Sequence, residues 1–129
     1  MSDYQPFLQI ASHLELAGLV WRPEIGDEVS IRQEPTRISI LVDPEGMTPK
    51  ELRSTYLWLP TVEQMVEQVE SRQAILFHAG LELTNTTFCY KTVLKAQIGP
   101  IESTGSSLRV AMGLALRDLL LTDHSDCVN

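Results

Sequence analysis

"SRQAILFHAG", residues 71–80, decides how this fold is read. If the helix approaching it runs on to Gly80, the middle of the chain is one long helix. If that helix stops near Arg72, "AILFHA" is a strand and the sheet gains a member. A short apolar run suits a buried helix segment as well as a buried strand, so periodicity alone does not arbitrate. The residues before it favour helix. Thr61 followed by Gln64 has the spacing of a capping box. Val62, Met65, Val66 and Val69 then share a face, while Glu63, Glu67, Gln68 and Glu70 point to water. Gly80 supplies a stop signal. The longer helix is the expectation, and the strand alternative stays open over residues 74–79.

Downstream, "LELTNTTFCYKTVLK" (81–95) reads as a hairpin turning at Asn85 and Thr86. Thr87 to Leu94 is rich in β-branched and aromatic residues, which suit a pleated surface. "AQIGPIESTG" (96–105) reads as a loop leading to a last helix over 106–121. In that helix Leu108, Val110, Ala111, Met112, Leu114, Ala115, Leu116, Leu119, Leu120 and Leu121 leave a thin polar stripe near Arg109, Gly113 and Arg117. A helix apolar nearly all round must be covered on more than one side. A second subunit is the preferred cover, and a central position within the chain is the alternative.

Upstream, "YLWLP" (56–60) reads as a strand-to-helix joint, because Leu59 precedes a proline and is biased away from helical backbone. Residues 4–17 form an amphipathic pattern through Phe7, Ile10, Ala11, Leu14 and Ala17, with Pro6 in the first turn and Gly18 at the stop. "EVSIR" (28–32) and "RISILVD" (37–43) alternate and read as a hairpin, with Val29, Ile31, Ile38, Ile40 and Val42 inward. Thr48 and Pro49 cap a short helical turn over "KELRST". These elements predict one α+β domain over residues 1–121. It has an antiparallel sheet of about four strands, helices packed on one face, and a flexible tail at 122–129.

Composition narrows the function. The chain has 129 residues, 43% of them hydrophobic and 21% charged, which suits a single folded domain. Its net charge is −7, from 10 basic and 17 acidic residues. Lys50, Arg53, Arg72, Lys91, Lys95, Arg109 and Arg117 are scattered and outnumbered, which opposes the positive field that nucleic acid or an anionic membrane requires. Cys89 and Cys127 do not make a disulfide framework. "MSDYQPFLQ" has neither a basic nor an apolar leader region, and no apolar run reaches a membrane span. A cytoplasmic location is the expectation.

Few residues carry chemistry. Asp123, His124, Asp126 and Cys127 are metal-binding types, yet they lie on a terminal tail and read as solvated. His78 and His13 have no nucleophile at a useful spacing, so no triad can be argued. "STGSSLR" places small residues at a helix N-terminus without the spacing of a phosphate-binding loop, and reads as ordinary capping. Cys89 reads as a strand residue. No catalytic residue, metal or cofactor is assigned. Trp21, Arg22, Tyr56, Trp58 and His78 remain as a candidate ligand or partner surface, since Trp, Tyr and Arg are the usual interface anchors. The alternative is that both tryptophans pack at the rim of the sheet.

"GLVWRPEIGDEV" and "LWLPTVEQM" together resemble a pattern in small bacterial and prophage-type proteins, W-x-P-x-x-G-D early and W-L-P-x-x-x-Q-[LM] midway. "STGSSLRVAMGLALRDLLL" is similar to their small-residue loop and Ala/Leu-rich helix. The resemblance implies a compact α+β domain with an accessory role and carries over no site residue. The functional expectation is an acidic, homodimeric interaction or adaptor protein, of mobile-element origin by that resemblance. The competing expectation is a small-ligand binder or enzyme with its site near Trp21, Trp58 and His78.

Overall fold

A computed structural model describes the backbone of residues 4–128 and the side chains of residues 6–83 and 85–122. The protein is α+β. The chain divides into two compact units at Thr61/Val62. Each has its own three-stranded antiparallel sheet, so six strands stand where about four in a single sheet were expected.

The first unit opens with helix α1 (Tyr4–Leu16). Phe7, Ile10, Ala11, Leu14 and Ala17 are all buried, as their spacing predicts. The helix ends because Gly18 adopts φ 108°, a left-handed conformation that costs glycine little. Gly18 N then donates to Glu15 O and Leu19 N to Leu14 O, which satisfies terminal carbonyls. Strands β1 (Glu28–Ile31), β2 (Glu34–Ile40) and β3 (Tyr56–Trp58) form a sheet in the order β2-β1-β3. The β1–β2 hairpin is the expected one.

Its inward residues are not all the expected ones. Ile40 and Val42 are exposed and Leu41 is buried. The pleat ends at Ile40, and Leu41 is held by its own bonds. Leu41 N donates to Asp27 O, and Leu41 O accepts from Gly26 N. Alternation beyond a strand's last ladder residue therefore loses its meaning. Helix α2 (Pro49–Thr55) carries the expected cap as a complete capping box, in which Thr48 Oγ1 accepts from Glu51 N and Glu51 Oε1 accepts from Thr48 N. Leu52 on α2 joins Trp21, Val29 and Leu41 in a core cluster flanked by Met47, Tyr56 and Trp58.

The second unit comprises α3 (Val62–Ser71), β4 (Ile75–Thr84), β5 (Thr87–Ala96), β6 (Gly99–Gly105) and α4 (Leu108–Val128). "YLWLP" is indeed the passage from a strand to a helix. The longer-helix expectation fails, because α3 stops at Ser71 and residues 75–79 belong to β4. The stop has the same geometry as that after α1. Gln73 takes φ 61°, Gln73 N donates to Glu70 O, and Ala74 N donates to Val69 O. The left-handed position is filled by glutamine, so no glycine marked it in the sequence.

Residues 96–105, expected as a loop, instead hold strand β6, paired with β5 from Tyr90↔Gly105 to Ala96↔Gly99. As the outer strand of the order β4-β5-β6, it tolerates Pro100, whose missing N–H would break an inner ladder. Directly opposed residues share a face, so Leu76, Leu94 and Ile101 lie on one side, together with Ala79, Thr92 and Ser103. Helix α4 packs on this side against β5 and β6, with α3 beside it. Val110, Ala111, Met112, Ala115, Leu116, Leu119 and Leu120 are all buried. Most of the girdle of α4 is thus covered within the chain, while Leu108 and Leu114 are half-buried and Leu121 is exposed.

Candidate functional site

The first unit holds a cleft of about 180 Å³. Ala11 and Glu15 of α1, the following Leu19, Val20 and Trp21, Arg53 of α2, and Leu57 and Trp58 of β3 line it. Its shape follows from how the loop after α1 is tied. The Trp21 indole N–H donates to Asp27 Oδ2 at 2.8 Å, and Glu24 N donates to the same oxygen at 3.0 Å. Asp27 is itself buried. Gly26, with φ 100°, lets the chain turn there. The W-x-P-x-x-G-D stretch is therefore a self-closing loop that fixes one indole against the sheet.

Arg53 reaches the same loop from α2, where its Nε donates to Trp21 O at 2.7 Å. The other charges are spoken for. Both Nη atoms of Arg32 donate to the Glu15 carboxylate, and Arg32 Nε donates to Arg53 O at 2.9 Å. Glu15 is thus neutralised, while Arg53 has no carboxylate partner among the described residues. The Trp58 Nε1 atom is buried with no hydrogen-bond partner, covered by protein rather than open to the cleft.

The structure brings Trp21 and Trp58 together and sets Tyr56 against the same core cluster. Arg22 is exposed and does not line the cleft. Arg53, rather than Arg22, is the cation that lines the cleft. No sequence signal marks it, because its bond to Trp21 spans 32 residues.

His78 lies in the second unit, on β4. Its Nε2 atom is 3.0 Å from Glu82 Oε2, without hydrogen-bond alignment, so the contact is an ion pair only when the imidazole is protonated. Lys91 lies across the ladder, 3.1 Å from Glu102 and 3.9 Å from Glu82. The Glu102 hydrogen bond and charge, then Glu82, hold the Lys91 ammonium above its usual range. This half-exposed charge cluster occupies the face opposite Leu94 and Ile101.

A second candidate surface is the far end of the β4–β5 hairpin. Strands β4 and β5 run on past Gly105, where β6 ends, as a two-stranded ribbon. Leu81 opposes Tyr90 and Leu83 opposes Phe88, on the face that α4 covers further along. Leu81, Leu83 and Phe88 are 55%, 62% and 64% exposed. A second cleft of about 180 Å³ is more polar, lined by Arg72, Gln73, Ala96, Gln97, Ile98, Leu119 and Thr122.

Cys89 is a strand residue of β5, as expected. The side chains of Asp123, His124, Asp126 and Cys127 lie outside the described residues. Among the described residues no group of three His, Cys, Asp or Glu side chains is placed to hold a metal. No described helix is long and apolar enough to cross a membrane. Comparison with protein-family models, curated proteins and solved structures finds no significant match to the chain.

Proposed function

We propose that this is an interaction protein that pairs with a second copy of itself through the apolar face of the β4–β5 ribbon. One observation carries the reading. Leu81, Leu83 and Phe88 continue the core-facing side of the sheet, yet stand more than half exposed. A two-stranded ribbon is marginal in water without something against its apolar face. A second copy supplies the same patch about a twofold axis, which is the commonest way soluble chains assemble. Three side chains fall short of the roughly 800 Å² per partner of a standard interface, so the pairing is weak and concentration-dependent. The acidic net charge of −7 goes with a protein partner rather than nucleic acid. A cytoplasmic location and an adaptor role fit this reading.

Light scattering over a dilution series tests it. The expected result is a dimer at high concentration that dissociates on dilution, and that Leu83→Ser with Phe88→Ser abolishes. A particle that is monomeric throughout, or a dimer indifferent to both changes, overturns it.

A second reading is favoured by the cleft between Trp21 and Trp58. Concave apolar sites with a few fixed polar groups are the usual small-ligand sites. In this reading the protein binds a small molecule there.

A further inference from the structure

We propose that the cleft of the first unit binds a small monocarboxylate with an apolar body, its carboxylate held by Arg53. The inference rests on the small-ligand reading of that cleft and specifies the ligand's chemistry. Most of the wall is hydrocarbon or indole, from Ala11, Leu19, Val20, Leu57 and the two tryptophans. Such a wall favours an apolar body. The polar contribution comes from two residues, and they are not equivalent.

Glu15 is clamped by both Nη atoms of Arg32, so its charge is already matched. Arg53 uses only Nε, on the Trp21 carbonyl. Its Nη1 and Nη2 atoms meet no acceptor among the described residues. That single bond also anchors the guanidinium to the loop that carries Trp21. A guanidinium held this way presents a fork of donors that matches a carboxylate. The local charge is therefore positive, inside a chain whose overall charge is −7.

Size limits the ligand further. A volume of about 180 Å³ holds about six water-sized groups, at about 30 Å³ each. Branched or cyclic short-chain acids are of that size.

The test is titration calorimetry of the full chain with isovalerate and with isovaleramide. The two have the same shape and differ in charge. Tryptophan fluorescence read in parallel locates the binding, because both of the chain's tryptophans line this cleft. The expected result is that isovalerate binds at least roughly tenfold more tightly than the amide, as a hydrogen-bonded charge contributes, with a change in indole emission. Arg53→Gln should remove the preference, bringing the affinities of acid and amide together. If Arg53→Gln fails to fold, Arg53→Lys keeps the cation, loses the paired fork, and should weaken isovalerate more than the amide. Equal binding of acid and amide overturns the carboxylate inference and leaves the small-ligand reading standing. Binding of neither overturns both.

Discussion

The Trp21 indole donates to the buried Asp27 carboxylate at 2.8 Å, and the same oxygen accepts from Glu24 N. One acceptor thus closes the loop and orients an indole of the cleft. Asp27→Ala would leave a buried indole N–H without its partner, which costs about 1–3 kcal/mol. Asp27→Asn keeps an acceptor and should lose less. Urea unfolding followed by tryptophan emission measures both. Equal stability of Asp27→Ala and the parent would remove the loop's assigned role.

Gly105 ends β6 where α4 comes close. A Cβ there would sit 2.6 Å from Val110 Cγ1 and 2.9 Å from Ala111 N, and the second atom is helix backbone that cannot turn aside. Gly105→Ala should destabilise the second unit by about 1–3 kcal/mol through overpacking. Gly80 is the control. A Cβ there meets only the His78 ring, at 3.7 Å. Gly80→Ala should be neutral or stabilising by up to about 1 kcal/mol. Thermal unfolding of the two variants separates them.

The α2 cap gives a pH dependence with a definite sign. The Thr48 backbone N–H, and then its hydroxyl, hold the Glu51 carboxyl below the ordinary carboxylate range. A carboxyl lowered on folding contributes stability above its unfolded pKa, about 4.3. That contribution is lost as pH falls through the lower folded value. The stability difference between the parent and Glu51→Gln should therefore shrink as the solution is acidified below the unfolded value. Urea midpoints from neutral to acid pH read this, and a difference that grows on acidification contradicts it. Thr48→Ala, which removes the acceptor for Glu51 N, should cost about 1 kcal/mol at neutral pH.

Leu116 and Leu121 test the coverage of α4. Leu116 is fully buried and Leu121 is 50% exposed. Leu116→Ala should cost about 2–5 kcal/mol through the cavity it leaves. Leu121→Ala should stay within about 0.5 kcal/mol. Similar losses at both positions, in a chain shown to be monomeric, would mean that α4 is oriented differently.

The sequence by itself determined the features whose causes lie within a few residues. Gly18 stops α1, Thr48 and Pro49 start α2, and Asn85 with φ 56° turns β4 into β5. Phe7, Ile10, Ala11 and Leu14 bury one face because helix geometry alone brings them together. Tertiary structure decided the rest, where the sequence was neutral or misleading. "ILFHA" (75–79) became strand because Gln73 accepted a left-handed backbone that ended α3 just before the buried Ala74. "GPIESTG" became strand because β5 offered it a free edge. Arg53 reached the cleft through a bond to Trp21, and Arg32 paired with the charge of Glu15 from across 17 residues. Such contacts depend on which surfaces the folded backbone brings together. Local propensities differ between the alternatives by less than the burial and pairing energy that a neighbouring strand supplies, so the neighbour decides.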